Sequence, residues 1–184
     1  STYLLQFGAF STAGSGDGTF TIDVACNPCE PGVGYCFGDD SGSVICPCGN
    51  PGSSEGGCAN GSGQGATLGA IGDASVSNDT LVLQSTNLLP NQPCLFFQGN
   101  NAINGGDGIL FGDGLRCAGG GVIRLQVRFP DSNGNAQTSL GIAEKGNCSA
   151  GDVKRYQVWY RDPLTSPCGA QFNLTNGVEI TWIP

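Results

Sequence analysis

The chain has 184 residues, with 32 Gly, 10 Pro and 10 Cys, no His and no Met, and only 12% charged side chains for a net charge of −8. That length fits one domain with an appended arm, and the Gly-rich, charge-poor composition excludes a protein built mainly of long helices. Without imidazole, Ser-His-Asp and Cys-His nucleophiles, His-ligated zinc and C-x-x-C-H haem attachment are excluded, so the expectation is a protein that is not an enzyme.

Residues 1–12, STYLLQFGAFST, alternate Tyr3, Leu5, Phe7 and Ala9 with Thr2, Leu4, Gln6 and Gly8, the two-residue period of a strand. Ala13 to Gly18 follow as a Gly/Ser hinge, so residues 1–18 read as a strand arm and hinge. Residues 19–184 read as a single domain. It opens on a strand at Thr19 to Val24 and runs into a Cys-rich segment, residues 26–60. With only Val44-Ile45 as an apolar run, that segment cannot form its own core and is expected to be clamped to the body by disulfides.

Beyond residue 66, short strands are expected at Ala66 to Ile71, Thr80 to Gln84, Cys94 to Gln98, Ile109 to Phe111, Gly121 to Phe129, Val153 to Arg161, Ala170 to Leu174 and Val178 to Ile183. Turn residues separate them, and Asn176-Gly177 is the strongest hairpin signal. Ile123, Leu125 and Val127 are expected to face the core and Arg124, Gln126 and Arg128 the solvent. The fold expected is all-β: an antiparallel β-sandwich, jelly-roll or Ig-like, with a disulfide-stapled loop-rich segment and an N-terminal strand arm.

The even set Cys26, Cys29, Cys36, Cys46, Cys48, Cys58, Cys94, Cys117, Cys148 and Cys168 reads as a disulfide framework made in an oxidising compartment. Cys26-x-x-Cys29 and Cys46-x-Cys48 also match zinc or redox spacings, which a His-free secreted chain disfavours. Spacing leaves the connectivity open; the bridges expected are local ones within residues 26–58, plus Cys117 with Cys168 and Cys94 with Cys148. A start at Ser1, with no charged leader or apolar stretch, fits a mature secreted product, and no 18-residue apolar run suggests a membrane span.

All seven basic residues, Arg116, Arg124, Arg128, Lys145, Lys154, Arg155 and Arg161, lie beyond position 115, while ten of the fifteen acids precede it. Such a chain repels nucleic acid along most of its length but suits head-to-tail contact with its own copies.

Other candidates are weaker. The Gly-Asp turns leave room for one calcium ion near Asp107 and Asp113, although no EF-hand spacing is present. Tyr156, Trp159, Tyr160 and Trp182 offer faces for sugars, with core packing the commoner use. Glu30, Glu55, Glu144 and Glu179 are the only glutamates and suggest no glycosidase pair. Sequons stand at Asn60, Asn78, Asn147 and Asn173, where glycan would offset the scarcity of surface charge.

The motifs Tyr35-Cys36-Phe37-Gly38-Asp39-Asp40, Cys46-Pro47-Cys48-Gly49-Asn50, Gly57-Cys58-Ala59-Asn60, Phe111 to Gly120, Tyr156 to Asp162 and Phe172 to Gly177 together resemble a cysteine-framed domain of uncharacterised extracellular proteins of planctomycetes and similar environmental bacteria. The resemblance covers roughly residues 35 to 182. It implies bacterial secretion and no catalytic activity, and it leaves the arm, Cys26, Cys29, Cys94 and Cys148 outside the shared pattern.

The function expected is therefore that of a structural subunit of an extracellular filament or surface assembly. Its arm side chains Tyr3, Leu5, Phe7 and Phe10 would fill a groove on the next copy. The rival expectation is a monomeric secreted module that binds carbohydrate or a surface, with or without calcium.

Overall fold

A computed structural model describes residues 31–184; the expected arm with Tyr3, Leu5, Phe7 and Phe10, the strand at 19–24, and Cys26 and Cys29 lie outside the described residues. The strands are β1 (Val33–Tyr35), β2 (Thr67–Ile71), β3 (Val82–Thr86), β4 (Cys94–Gly99), β5 (Asn101–Ala102), β6 (Ile109–Phe111), β7 (Gly114–Arg116), β8 (Ala118–Gly119), β9 (Ile123–Arg128), β10 (Ala136–Gln137), β11 (Val153–Arg161), β12 (Phe172–Leu174) and β13 (Gly177–Thr181). One short α-helix, α1 (Ile142–Gly146), and two 3-10 turns, Pro47–Gly49 and Ile103–Gly106, interrupt them. The chain is nearly all-β and its ladders are antiparallel, as the alternation of its sequence implies.

The main sheet runs β1-β13-β11-β4-β9, with β12 also on β11, and a smaller one runs β10-β3-β2. Between them lies one core. Leu68, Ala70, Leu81 and Leu83 meet Phe96, Tyr156, Val158, Tyr160, Val178, Ile180 and Trp182 there. The polar ends of its large aromatics are satisfied: Trp182 Nε1 donates to Tyr156 Oη at 2.9 Å, and Asn60 Nδ2 to Tyr160 Oη at 3.3 Å.

Asn176-Gly177 makes no hairpin, contrary to its sequence signal. β12 and β13 follow one another along the same edge of β11, at Trp159 to Arg161 and Val153 to Tyr156 respectively. Between them Thr175 keeps the ladder going, its N–H donating to the Val158 carbonyl and its Oγ1 accepting the Val158 N–H.

Three disulfides join described cysteines: Cys36–Cys117, Cys46–Cys58 and Cys48–Cys168, spanning 81, 12 and 120 residues. The clamp expected for residues 26–60 is thus present, with one local bridge and two to the body. The expected Cys117–Cys168 pair is replaced, because each sulfur meets a partner from the stapled segment. Cys94–Cys148 is also absent, and both thiols are free and buried. Cys94 lies opposite Tyr160, whereas Cys148 contacts Gln98 and Tyr156; four strand residues separate those places, about 13 Å, beyond the reach of a bridge.

Glycine lets this segment press backbone against backbone. A Cβ on Gly38 would lie 2.1 Å from the Cys58 nitrogen, and one on Gly57 the same distance from the Leu174 carbonyl oxygen. A small cluster of Cys46, Cys58, Leu115 and Cys117 replaces a conventional apolar core there.

Candidate functional site

The site begins with an open sheet edge. β9 pairs with β4 on one side, and no described strand pairs with the other. Its ladder contains a bulge: Phe96 faces Gln126, but Phe97 faces Arg124, so Leu125 is the extra residue. The consequence corrects the simple alternation. Leu125 turns into the core, while Arg124 and Val127 share the outer face, where Val127 is 57% exposed. Phe129, just past the strand, is 67% exposed.

Beside this edge the outer face of the main sheet opens into a cleft of about 440 Å³, lined chiefly by Leu95, Phe97, Phe111, Val127 and Trp159, with Arg116 and Arg124 at its walls. The far wall is the hairpin β6–β7, whose Ile109 and Leu110 are exposed. Aromatic rings hold that wall to the floor: Phe172 lies 5.1 Å from Phe111 and 5.7 Å from Trp159, centroid to centroid. Arg116 places its guanidinium carbon 5.8 Å from the centre of the Phe111 ring.

The wall is fixed from beneath by Gln157, a fully buried side chain on the outward side of β11. Its Nε2 donates to the carbonyls of Leu115 at 2.9 Å and Thr175 at 2.7 Å, and its Oε1 accepts the Cys117 N–H at 2.9 Å. The Cys36–Cys117 bridge anchors the same turn covalently. That wall of the cleft is therefore held by hydrogen bonds and a covalent bridge together.

Its electrostatics are positive. The lining includes no carboxylate, and the ion pairs among the described residues are Lys154–Asp152 and Arg155–Glu179. Arg116, Arg124 and Arg128 stand at the cleft and edge without an acidic partner among the described residues. Arg128 and Gln126 instead reach Ser139, at 3.4 and 3.0 Å.

Other sequence candidates are dispersed. Tyr156, Tyr160 and Trp182 belong to the core, so Trp159 is the one of the four aromatics that reaches the cleft. Asp107 and Asp113, the carboxylates considered for calcium, have separate partners: that of Asp107 accepts from Ser43 Oγ, whereas that of Asp113 is buried and accepts from Ser166 Oγ and the Ala170 N–H. Among the described residues no three acidic or thiol groups cluster as metal ligands.

Asp162 is also fully buried; its Oδ2 accepts the Gly61 N–H at 2.7 Å and its Oδ1 has no partner. Burial, with a smaller contribution from Asp113, raises its pKa above the ordinary value. Of the sequons, Asn60 and Asn173 are corrected as attachment sites: both are buried, with Nδ2 donating to the carbonyls of Asn87 and of Cys58 and Ala59. Asn78 and Asn147 are exposed.

Phe111 and Val127 were not foreseeable as cleft residues, although the crowding of Arg116, Arg124 and Arg128 into thirteen positions was a visible signal. No family model, curated protein or solved structure matches the chain.

Proposed function

We propose that the chain is a structural subunit of an extracellular filament or surface assembly, in which residues 1–12 of one copy add a strand to β9 of the next. The observation that carries this reading is the open β9 edge beside an apolar cleft. An added strand satisfies the edge amides and sends every second side chain into the cleft. The alternating Tyr3, Leu5 and Phe7 supply uncharged side chains of the right kind, and burying the three is worth roughly 5–9 kcal/mol before ordering costs; Phe10, of opposite parity, would need a break in the strand to join them.

Charge supports the same partner. Asp17 and Asp23 follow the arm, and Arg116, Arg124 and Arg128 frame the acceptor. A contact of this kind that does not close on itself propagates into a polymer, and the cystines keep each subunit intact within it. The resemblance to secreted cysteine-framed domains fits an extracellular setting.

The test is deletion of residues 1–12 alongside Val127→Lys, which puts a charge into the acceptor on an exposed position. Both variants should keep the wild-type circular dichroism but lose the high-mass species on light-scattering chromatography and the filaments in negative stain. Wild-type protein that is monomeric at every concentration, or polymers that survive both changes, would overturn the reading.

A second reading rests on Trp159, an aromatic face in the cleft backed by Phe172, which suits stacking on a sugar ring in a monomeric carbohydrate-binding module. Under it, Trp159→Ala abolishes retention on polysaccharide while removal of residues 1–12 changes neither mass nor binding.

A further inference from the structure

Of the four sequons, burial removes two and leaves two that share one surface. Asn78 lies in the loop between β2 and β3, and Asn147 is the residue that ends α1, with a left-handed φ of 49° that turns the chain outward. Both side chains are exposed, as are the hydroxyl residues two positions on, Thr80 and Ser149. Cys148, between Asn147 and Ser149, is the buried residue of that triplet, so the backbone presents the acceptor amide and its hydroxyl to solvent while the thiol points inward.

The two loops are tied together. Asp79, adjacent to Asn78, accepts the Ala143 N–H of α1 through Oδ2 at 2.8 Å. A surface hollow of about 490 Å³ lies between them, lined by Val76, Ser77 and Asp79 on one side and Glu144 and Asn147 on the other. It shares no lining residue with the β9 cleft. At its margin Val76 is 37% exposed, and its N–H donates to the carbonyl of Ile183, itself 56% exposed. Val76 and Ile183 thus give the hollow, which also carries the Asp79 and Glu144 carboxylates, a small apolar rim on a protein whose surface is poor in charge, a place where attached polar sugar would keep copies from sticking.

We infer that Asn78 and Asn147 are N-glycosylation sites forming one sugar-covered patch, and that Asn60 and Asn173 remain unmodified. The donor is a lipid-pyrophosphate-linked oligosaccharide with its membrane transferase, both supplied by the producing cell. The Nδ2–C1 bond forms, the C1–oxygen bond to pyrophosphate breaks, and Nδ2 gives up one proton. Asn60 and Asn173 cannot carry the product in the folded chain, because their amide groups are enclosed and donate to backbone carbonyls.

The experiment is secretion of the full chain from a glycosylating host, followed by intact-mass measurement and glycopeptide mapping before and after an amidase that converts glycosylated Asn to Asp. The expected result is glycan at Asn78 and Asn147 alone, with Asn78→Gln and Asn147→Gln each removing one glycan mass. Made without glycosylation, Asn78→Gln should melt within a degree or so of wild type, while Asn147→Gln should keep the wild-type circular dichroism but melt somewhat lower, because Gln tolerates the left-handed backbone at 147 less well than Asn. Unmodified peptides at Asn78 and Asn147, or glycan on Asn60 or Asn173 in folded protein, would overturn the inference. The filament assays bear on neither result, so the two readings fail separately.

Discussion

The side-chain amide of Asn176 pairs with both backbone groups of Leu68: Oδ1 accepts the Leu68 N–H at 2.7 Å, and Nδ2 donates to the Leu68 carbonyl at 3.1 Å. Asn176 precedes β13 of the main sheet and Leu68 belongs to β2 of the smaller one, so a single buried side chain acts as a strand partner between the sheets. This use explains why an Asn-Gly pair with a hairpin signature does not turn the chain.

Asn176→Ala would leave a buried N–H and a buried C=O unpaired, at a cost of about 2–4 kcal/mol in total. The urea unfolding midpoint should fall accordingly, with an unchanged slope. A loss below about 0.5 kcal/mol would mean that water or a backbone shift replaces the amide.

The disulfides should differ in weight according to the loops they close. By chain entropy, Cys46–Cys58 contributes about 3 kcal/mol, whereas Cys36–Cys117 and Cys48–Cys168 contribute about 4 to 5 kcal/mol each. Paired Cys→Ser variants compared by denaturant unfolding check the order. Removal of Cys36–Cys117 should also loosen the cleft wall, because only non-covalent ties such as the Gln157 hydrogen bonds then hold that turn, and hydrogen exchange at Leu115 to Ala118 should rise.

Several strands were legible because their alternation is local: β11 falls on the expected Val153 to Arg161, and β4 and β2 within a residue of their expected ends, whereas the three-residue β1 carries no such pattern. What escaped depends on distant partners. Val127 follows the strand period in sequence, but the bulge opposite Phe97 reverses its face. Helix α1 has five residues, too few to show a period, and its start is held by Asp79 from another loop. Cys117 and Cys168 find partners 81 and 120 residues away, and the cleft exists only once β6–β7 is laid beside β11. Three arginines close in sequence were the one local trace of it.

Asp162 gives the stability a specific pH dependence. Its folded-state pKa is raised, so the folded chain binds this proton more tightly than the unfolded one. The stabilising contribution is therefore complete below the ordinary carboxyl value of 3.8 and is lost as pH rises through the higher folded value. Asp39, Asp131 and Asp152 have lowered values, caused mainly by hydrogen bonds, and act in the opposite sense, losing their contribution as pH falls. The comparison must be made against Asp162→Asn, which removes only the first effect. The difference in urea midpoint, wild type minus variant, should decline from pH 3 to pH 7; a difference independent of pH would show that the Asp162 carboxyl titrates alike in the folded and unfolded chain, and a rising one that its folded value is lowered.

The two free thiols should be silent in the native protein for a physical reason. Cys94 and Cys148 are buried, and desolvation raises both pKa values, that of Cys94 to about 11, so little thiolate forms at neutral pH and little reagent reaches it. Maleimide applied at pH 7 should leave the Cys94 and Cys148 peptides unlabelled until denaturant is added, after which both should label without prior reduction. Because Cys94 faces Tyr160 and Cys148 lies beside Gln98, no peptide linking the two should appear in a non-reducing digest. Native labelling of either cysteine would show that its end of the core opens to solvent. A linked Cys94–Cys148 peptide would instead require β4 and α1 to pack in a different register from the one described.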